Sequence, residues 1–177
     1  MRYVEAPEGF TRHRHLPVPR RRDHHCPDWQ QTAAADLAAD LDIAVFNPRR
    51  SSFPVHAPDA ESTQVRWEYR HLRRADLVLF SFPASPSHQP ITLYELGMAA
   101  ADHDTALVVG ADPEYVRRAY IAAQLSHTRP GLPVHTTLAD THRGLPRCFV
   151  RRAAGRRVNG SWMFAGANCA HSADRQI

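Results

Sequence analysis

The stretch that decides the fold is DLVLFSFPASPSHQPITLYELGMAAADHDTALVVG, residues 76–110. Its two ends, residues 76–82 and 105–110, are nearly continuous apolar runs, which are typical of parallel strands buried on both faces of a sheet. Between them, Pro90 suits the first position of a helix, and the helical pattern continues to about Asp102. A strand, a helix and a second strand in this order predict two parallel strands joined by a right-handed crossover.

The same alternation of helical and apolar segments extends in both directions from this unit. Helices are predicted at residues 28–41, 61–75 and 113–125, and further strands at residues 42–47 and 134–138. Short loops between them predict an α/β fold with a doubly wound, mainly parallel sheet flanked by helices, of the Rossmann or flavodoxin-like kind. Ligands bind such sheets at the carboxyl ends of the strands.

Two flanking segments do not follow this pattern. Residues 12–25, RHRHLPVPRRRDHH, stand in the place of a first core strand but show neither alternation nor an apolar run, so the first strand is disrupted. Residues 143–177 combine Arg pairs with scattered aromatic residues and are predicted to form a basic, poorly ordered tail. The predicted organisation is an irregular segment at 1–25 with a short strand near residues 2–6, an α/β domain at 26–142, and this tail.

The distribution of charge argues against nucleic-acid binding. The chain of 177 residues has a formal net charge of +4, and its 22 Lys and Arg residues are all Arg. Five Arg lie in residues 12–25 and seven in residues 143–177, whereas residues 26–142 hold nine Arg against 14 acidic residues. A nucleic-acid-binding domain carries its basic surface on the folded domain itself. We do not expect a nucleic-acid partner, and salt-sensitive binding through the Arg-rich flanks is the alternative.

Membrane, secreted and metal-binding classes find no support in the sequence. No run approaches the roughly 18–20 apolar residues of a membrane span, and residues 1–5 lack the pattern of a signal peptide. The three cysteines have no paired spacing, and the adjacent His24, His25 and Cys26 cannot converge on one ion from regular structure. We expect a soluble, cytoplasmic protein with no membrane contact, no metal and no cofactor.

Two carboxylates within the apolar framework are candidates for catalysis. Glu95 lies in the first two turns of its predicted helix, where the helix dipole favours an ionised acid, and it is a candidate nucleophile at a strand-end cleft. Glu68 lies on the preceding predicted helix and is the second candidate. The sequence leaves ordinary explanations open, a helix-start Glu for the first and a solvated pairing with Arg73 for the second.

Four further polar residues are candidates for contact with a substrate. Asn47, Arg49 and Arg50 lie at the carboxyl end of the predicted strand 42–47, and an amide with two guanidinium groups suits sugar hydroxyls or an anion. Asp76 begins the next predicted strand. The alternatives are an ordinary turn for the first three residues and a cap or salt bridge for Asp76.

Aromatic residues near the predicted helices have two possible roles. Trp29, Trp67 and Tyr94 are candidates for stacking on a nucleobase. Packing in the core is the alternative, and it is the more frequent role of such side chains.

Several motifs occur in a fixed order between residues 26 and 138. They are CPDWQ at 26–30, NPRR at 47–50, Gln64 with Trp67 and Glu68, Ala75 with Asp76, and PITLYELG at 90–97. Together they resemble the nucleoside 2-deoxyribosyltransferase-like family. The resemblance implies that Glu95 attacks C1′ of a 2′-deoxynucleoside and that Glu68, near the leaving base, transfers the proton. The implied chemistry is a retaining displacement through a covalent glycosyl-enzyme, after which a second base or water takes the sugar.

The chain departs from the family pattern at two places. Gln89 stands six residues before Glu95, where classical members have an acid, and we expect it to contact the sugar or base. The family's first strand ends in a glycine-rich loop such as FLAGGIT, whereas residues 18–24 read VPRRRDH. A set of codons for these residues, read one nucleotide later, encodes FLAGGIT, so we hypothesise that this segment, and by the same route the tail, is translated out of frame.

The expected function is cleavage or exchange of the N-glycosidic bond of a nucleoside or nucleotide, impaired if the altered first strand damages the site. The alternative is a non-catalytic nucleoside- or nucleotide-binding protein on the same fold. The expected partner is thus a small molecule. The resemblance also implies a homo-oligomer in which a neighbouring copy completes the site.

Overall fold

A sheet of parallel strands forms the centre of the protein. The computed structural model describes residues 2–8, 29–38, 43–50, 54, 56–85, 87–144 and 160–166. Within these ranges the strands are β1 (Arg2–Glu5), β2 (Ile43–Asn47), β3 (Leu77–Phe82), β4 (Ala106–Ala111), β5 (Val134–His135) and β6 (Gly160–Gly166). They pair in the spatial order β1-β2-β6-β3-β4-β5, and every pairing is parallel.

Helices cover both faces of this sheet. The described residues include α1 (Trp29–Ala38), α2 (Ala60–Leu72), α3 (Pro90–Ala101), α4 (Arg118–Thr128) and α5 (Leu138–Arg143). Helices α2, α3 and α4 share one core with the sheet through side chains that include Trp67, Leu96 and Ile121. Helices α1 and α5 pack on the other face through Trp29 and Leu138. This arrangement confirms the predicted doubly wound α/β fold.

The strand–helix–strand unit that decided the prediction is the best buried part of the sheet. All six residues of β3 are buried, and β3 pairs with β4 from Leu77 opposite Ala106 to Phe82 opposite Ala111. Both faces of these strands are covered by helices, which explains why their sequences are continuously apolar rather than alternating.

The predicted and observed helices differ in the second half of the chain. Helix α4 begins at Arg118 rather than near Pro113, because Asp112 accepts hydrogen bonds from Glu114 N and Tyr115 N and so forms a turn. Helix α5 was not predicted, since its six residues are too few for a periodic pattern. Thr137 caps it, its side chain accepting a hydrogen bond from Asp140 N at 3.0 Å.

The largest difference from prediction is β6, which lies inside the segment expected to be a poorly ordered tail. It pairs with β2 on one side and β3 on the other, and Trp162, Met163, Phe164 and Ala165 are at most 1% exposed. An apolar run between two glycines is typical of a strand. The Arg residues around it led us to predict a poorly ordered tail instead. A strand from the end of the chain thus fills a central place in the sheet, while β1 forms an edge beside β2.

Some sequence predictions concern residues outside the described ranges. These are the irregular segment 12–25 with its proposed frame change, the three cysteines, and most of the predicted tail. Among the helices that are described, none combines the length and the apolar composition needed to cross a bilayer.

Candidate active site

The two candidate carboxylates lie on neighbouring helices of the same face of the sheet. Glu68 is on α2, one turn after the buried Gln64, and Glu95 is on α3, one turn after the buried Thr92. These positions place both residues at the margins of the buried helix stripes, and both are partly buried. Glu95 lines a groove between α2 and α3 whose walls include Leu72 and Met98. The charge of Glu68 acts on Glu95, so the structure brings the pair together.

Burial changes the protonation expected for Glu95. Desolvation raises its pKa from 4.5 to about 8, and the negative charge of Glu68 contributes to the same shift. This shift favours the protonated form of Glu95 at neutral pH in the free protein, whereas the sequence led us to expect an ionised acid. The physical reason is burial, and Glu95, as the sixth residue of α3, lies beyond the first turn in which the helix dipole would favour the ionised form.

Two neighbouring side chains stabilise the ionised form of Glu68. Its Oε1 accepts a hydrogen bond of 2.7 Å from Gln64 Nε2, which also donates to Pro48 O at 2.7 Å. Burial raises the pKa of Glu68, while the hydrogen bond from Gln64 and the positive charge of Arg50 lower it. Arg50, rather than the Arg73 considered from the sequence, supplies that charge. Gln64 thus ties Glu68 to the loop that follows β2.

The loop after β2 is shaped by Asn47. This side chain is 2% exposed, accepts a hydrogen bond of 2.9 Å from Arg49 N, and donates to the Tyr3 hydroxyl. Arg50 Nε donates to Ala6 O at 3.2 Å, which ties the loop to the residues that follow β1. Asn47 therefore holds the turn, as in the alternative left open by the sequence, while Arg50 lies near the carboxylate pair.

Gln89 occupies an unusual position at the start of α3. It is the N-cap, its φ of 48° lies in the left-handed region, and its side chain is 3% exposed. Its Nε2 is 3.5 Å from Pro83 O, and its Oε1 has no hydrogen-bond partner in the described part of the chain. A non-glycine residue held in this backbone region stores strain, which is common at ligand sites. Gln89 therefore places a buried, unpartnered acceptor at the start of α3, beyond the carboxyl end of β3.

The three aromatic candidates lie in two different kinds of surroundings. Trp67 is 5% exposed, donates from Nε1 to Glu8 O at 2.8 Å, and stacks on His71 with ring centroids 4.0 Å apart. It belongs to the core, and so does Trp29, whose ring meets that of Phe164 edge-on at 5.6 Å. Tyr94 is 67% exposed on α3. Of these rings, Tyr94 alone is placed to meet a ligand from solvent.

Asp76 lies apart from the other candidates. It immediately precedes β3, at the end of that strand opposite to Gln89, and its carboxylate accepts hydrogen bonds from Ser161 N at 2.8 Å and Ser161 Oγ at 2.9 Å. These contacts match the capping role that the sequence left open as the alternative, and they lie at the end of β3 away from the edge where ligands bind such sheets. Asp76 instead holds the beginning of β6.

Sequence reasoning missed the part played by Gln64. It stands four residues before Glu68 on one helix, and a side-chain pair at this spacing lies on one face. This spacing is the feature of the sequence from which the contact between Gln64 and Glu68 could have been predicted. The contribution of β6 to the sheet had no comparable signal, because its partner strands are far away in the chain.

Fold and site together define a doubly wound α/β protein with a partly buried carboxylate pair. The chain belongs to the nucleoside 2-deoxyribosyltransferase-like family, whose sequence model matches residues 21–115, more than half of the chain. The match includes both carboxylates and Gln89 but ends before β6. No curated protein matches the chain.

Proposed function

We propose that this protein cleaves or exchanges the N-glycosidic bond of (deoxy)nucleosides or nucleotides through a covalent glycosyl-Glu95 intermediate. The observation that carries the proposal is the placement of two partly buried carboxylates on neighbouring helices, with Glu68 held by Gln64 on α2 and Glu95 lining the groove on α3. Membership of the family supplies the substrate class. The proposal places this reaction in the cytoplasm.

One proton on the pair is sufficient for the first step. When the proton passes from Glu95 to Glu68, Glu95 becomes the nucleophile and Glu68 becomes the acid. Glu95 then forms a bond to C1′ as the C1′–N bond breaks, and the electron pair of the C1′–N bond stays on the base. Glu68 gives its proton to the base nitrogen, so the base leaves neutral and Glu68 is left ionised.

The second step reverses these roles. An acceptor base or a water molecule attacks C1′ while Glu68 removes its proton, and the ester bond to Glu95 breaks. Glu95 is released as a carboxylate and Glu68 carries the proton, which is the form that started the first step. The pair thus returns to its starting state with no net gain or loss of protons.

The surrounding polar groups have supporting roles in this proposal. The unpartnered Gln89 Oε1 accepts a hydrogen bond from a sugar hydroxyl. Arg49 and Arg50 supply positive charge at the carboxyl end of β2, which suits the phosphate of a nucleotide. Tyr94 lies at the surface of α3, where it can cover the base.

The proposal includes a homo-oligomer. Four large apolar side chains of α2 and α3 are between 54% and 67% exposed, namely Val65, Tyr69, Ile91 and Tyr94. Exposed apolar side chains collected on neighbouring helices favour an interface with another protein surface. Light scattering of the purified chain measures its oligomeric state.

Detection of the intermediate tests the proposed reaction. The full chain is incubated with a panel of 2′-deoxynucleosides and their monophosphates, free base is measured by chromatography, and the protein is analysed by mass spectrometry. We expect base release and a peptide that contains Glu95 with the mass of one added sugar. Base release with the sugar on another residue would contradict the role of Glu95.

A second candidate function is binding without catalysis. It is favoured by the sequence VPRRRDH at residues 18–24, which stands where the family has a glycine-rich loop that lets the backbone approach a substrate. Calorimetric binding of a deoxynucleoside by the wild-type chain, with no base released over a long incubation, would establish this alternative.

A further inference from the structure

Strand β6 separates the two strands that lead into the carboxylate-bearing helices. Chain order runs from β2 through α2 to β3 and then α3, yet β2 and β3 are not neighbours, because β6 lies between them. Adjacent strands are about 4.8 Å apart, so β6 sets β2 and β3 at roughly 10 Å. Packed helices also lie about 8–10 Å apart. The inserted strand therefore separates β2 from β3 by about the distance that α2 and α3 need in order to pack side by side on the sheet.

The side chains of β6 contact the layers on both sides of the sheet. Met163 and Ala165 belong to the core of α2 and α3, and α3 packs against β6. Trp162 and Phe164 belong to the core on the opposite face. A shift of β6 by one residue would exchange these two sets and place two large aromatic rings beneath α2 and α3.

The register of β6 is fixed at its beginning by Asp76. Its carboxylate accepts two hydrogen bonds from Ser161, its backbone N donates to Ser161 O at 2.7 Å, and Ser161 Oγ also lies 3.1 Å from Arg74 O. From that point β3 and β6 pair in step, from Leu77 opposite Trp162 to Ser81 opposite Gly166.

We infer that β6 is a structural part of the active site and that Asp76 is a positioning residue, which fixes the register of β6 and thereby the placement of Glu68 and Glu95. This inference rests on the proposed function for its catalytic consequence. Its structural content, the dependence of the surroundings of Glu95 on the contact between Asp76 and Ser161, stands independently of turnover.

The test compares Asp76→Ala with two reference variants of the full chain. Asp76→Asn keeps an acceptor for Ser161, and Asp112→Ala removes a similar turn-forming carboxylate that follows β4, a strand that does not pair with β6. Three quantities are measured: the pH at which the Glu95 carboxyl titrates by NMR, kcat and KM for base release, and amide hydrogen exchange in residues 161–165. Ser161→Ala, a smaller change, replaces Asp76→Ala if that variant does not fold.

In Asp76→Ala we expect faster exchange in β6, a Glu95 pKa closer to its ordinary value, and a kcat reduced roughly 10- to 100-fold with little change in KM. Asp76→Asn should restore all three, and Asp112→Ala should leave them as in the wild type. Unchanged titration of Glu95 in Asp76→Ala, or an equal shift in Asp112→Ala, would overturn the inference. If the wild type releases no base, the proposed function fails, while titration and exchange still decide the inference.

Discussion

The two carboxylates lie on adjacent helices of one face, yet their surroundings differ in kind. Glu68 receives a hydrogen bond from Gln64 and the positive charge of Arg50, whereas Glu95 is affected by burial and by the charge of Glu68. Both carboxyl groups lose solvation, but the neighbours of Glu68 stabilise its ionised form. The hydrogen bond from Gln64 and the charge of Arg50 oppose the effect of burial on Glu68, although its pKa is still raised, whereas both causes at Glu95 raise its pKa.

Among changes to this pair, removal of Glu95 is expected to reduce the rate of base release the most. In Glu95→Ala no covalent intermediate forms, so the rate of base release should fall by roughly three orders of magnitude. The rate is measured by chromatography under single-turnover conditions. Glu61→Ala, at an exposed position in the first turn of α2, is the control and should keep the wild-type rate. A nearly normal rate in Glu95→Ala would show that the two carboxylates do not have the assigned roles.

The shared proton predicts a bell-shaped dependence of kcat/KM on pH. Above about pH 8 the pair in the free protein loses its last proton and kcat/KM should fall by roughly tenfold per pH unit, while at low pH both carboxyl groups are protonated and no nucleophile remains. Steady-state rates across the pH range measure both limbs. Glu68→Gln should lose the alkaline limb together with most of the activity, and an unchanged limb in that variant would assign the proton to another group.

Substitution of Gln64 should make the surroundings of Glu68 more like those of Glu95, and so tests the difference between the two carboxylates. Gln64→Leu removes the hydrogen bond to Glu68, so the pKa of Glu68 rises and the acid limb of the pH profile moves to higher pH. We expect kcat near neutral pH to fall roughly tenfold. Gln124→Leu, on an exposed position of α4, is the matched control. An acid limb that stays in place would mean that Gln64 does not control Glu68.

The smallest expected effect is on stability. Because the pKa of Glu95 is higher in the folded chain than its ordinary value of 4.5, folding loses stability as pH rises from 4.5 to about 8. Glu95→Gln removes this loss. At alkaline pH its free energy of unfolding should exceed that of the wild type by about 1–2 kcal/mol, which raises its Tm by a few degrees. Below pH 4.5 the two should melt together. Thermal unfolding across this range, with Glu114→Gln as an exposed control, checks the sign.

Sequence alone predicted the parts of the fold that are encoded locally. The unit from β3 to β4 was found because each strand is a continuous apolar run and Pro90 marks the helix between them. The family was recognised from motifs in a fixed order along the chain. Strand β6 was not found, because its apolar run is short, its neighbours are rich in Arg, and its pairing with β2 joins Ile43 to Gly160 across most of the chain.

The protonation of the site also lay beyond the sequence. The position of Glu95 near a helix start suggested an ionised acid, but its pKa depends on burial between α2 and α3, which only tertiary packing defines. The same holds for Asp76, whose partner Ser161 is 85 residues away. Residues whose roles depend on distant partners are those for which prediction from sequence failed.

The late position of β6 in the chain has a consequence for biosynthesis. Until residues 160–166 have left the ribosome, β2 and β3 lack the strand that separates them, and their facing edges carry unpaired backbone groups. Contacts between such distant segments also form slowly. The nascent chain therefore passes through a stage in which two open edges can pair with each other or with another chain, and this stage is where chaperones would act on it.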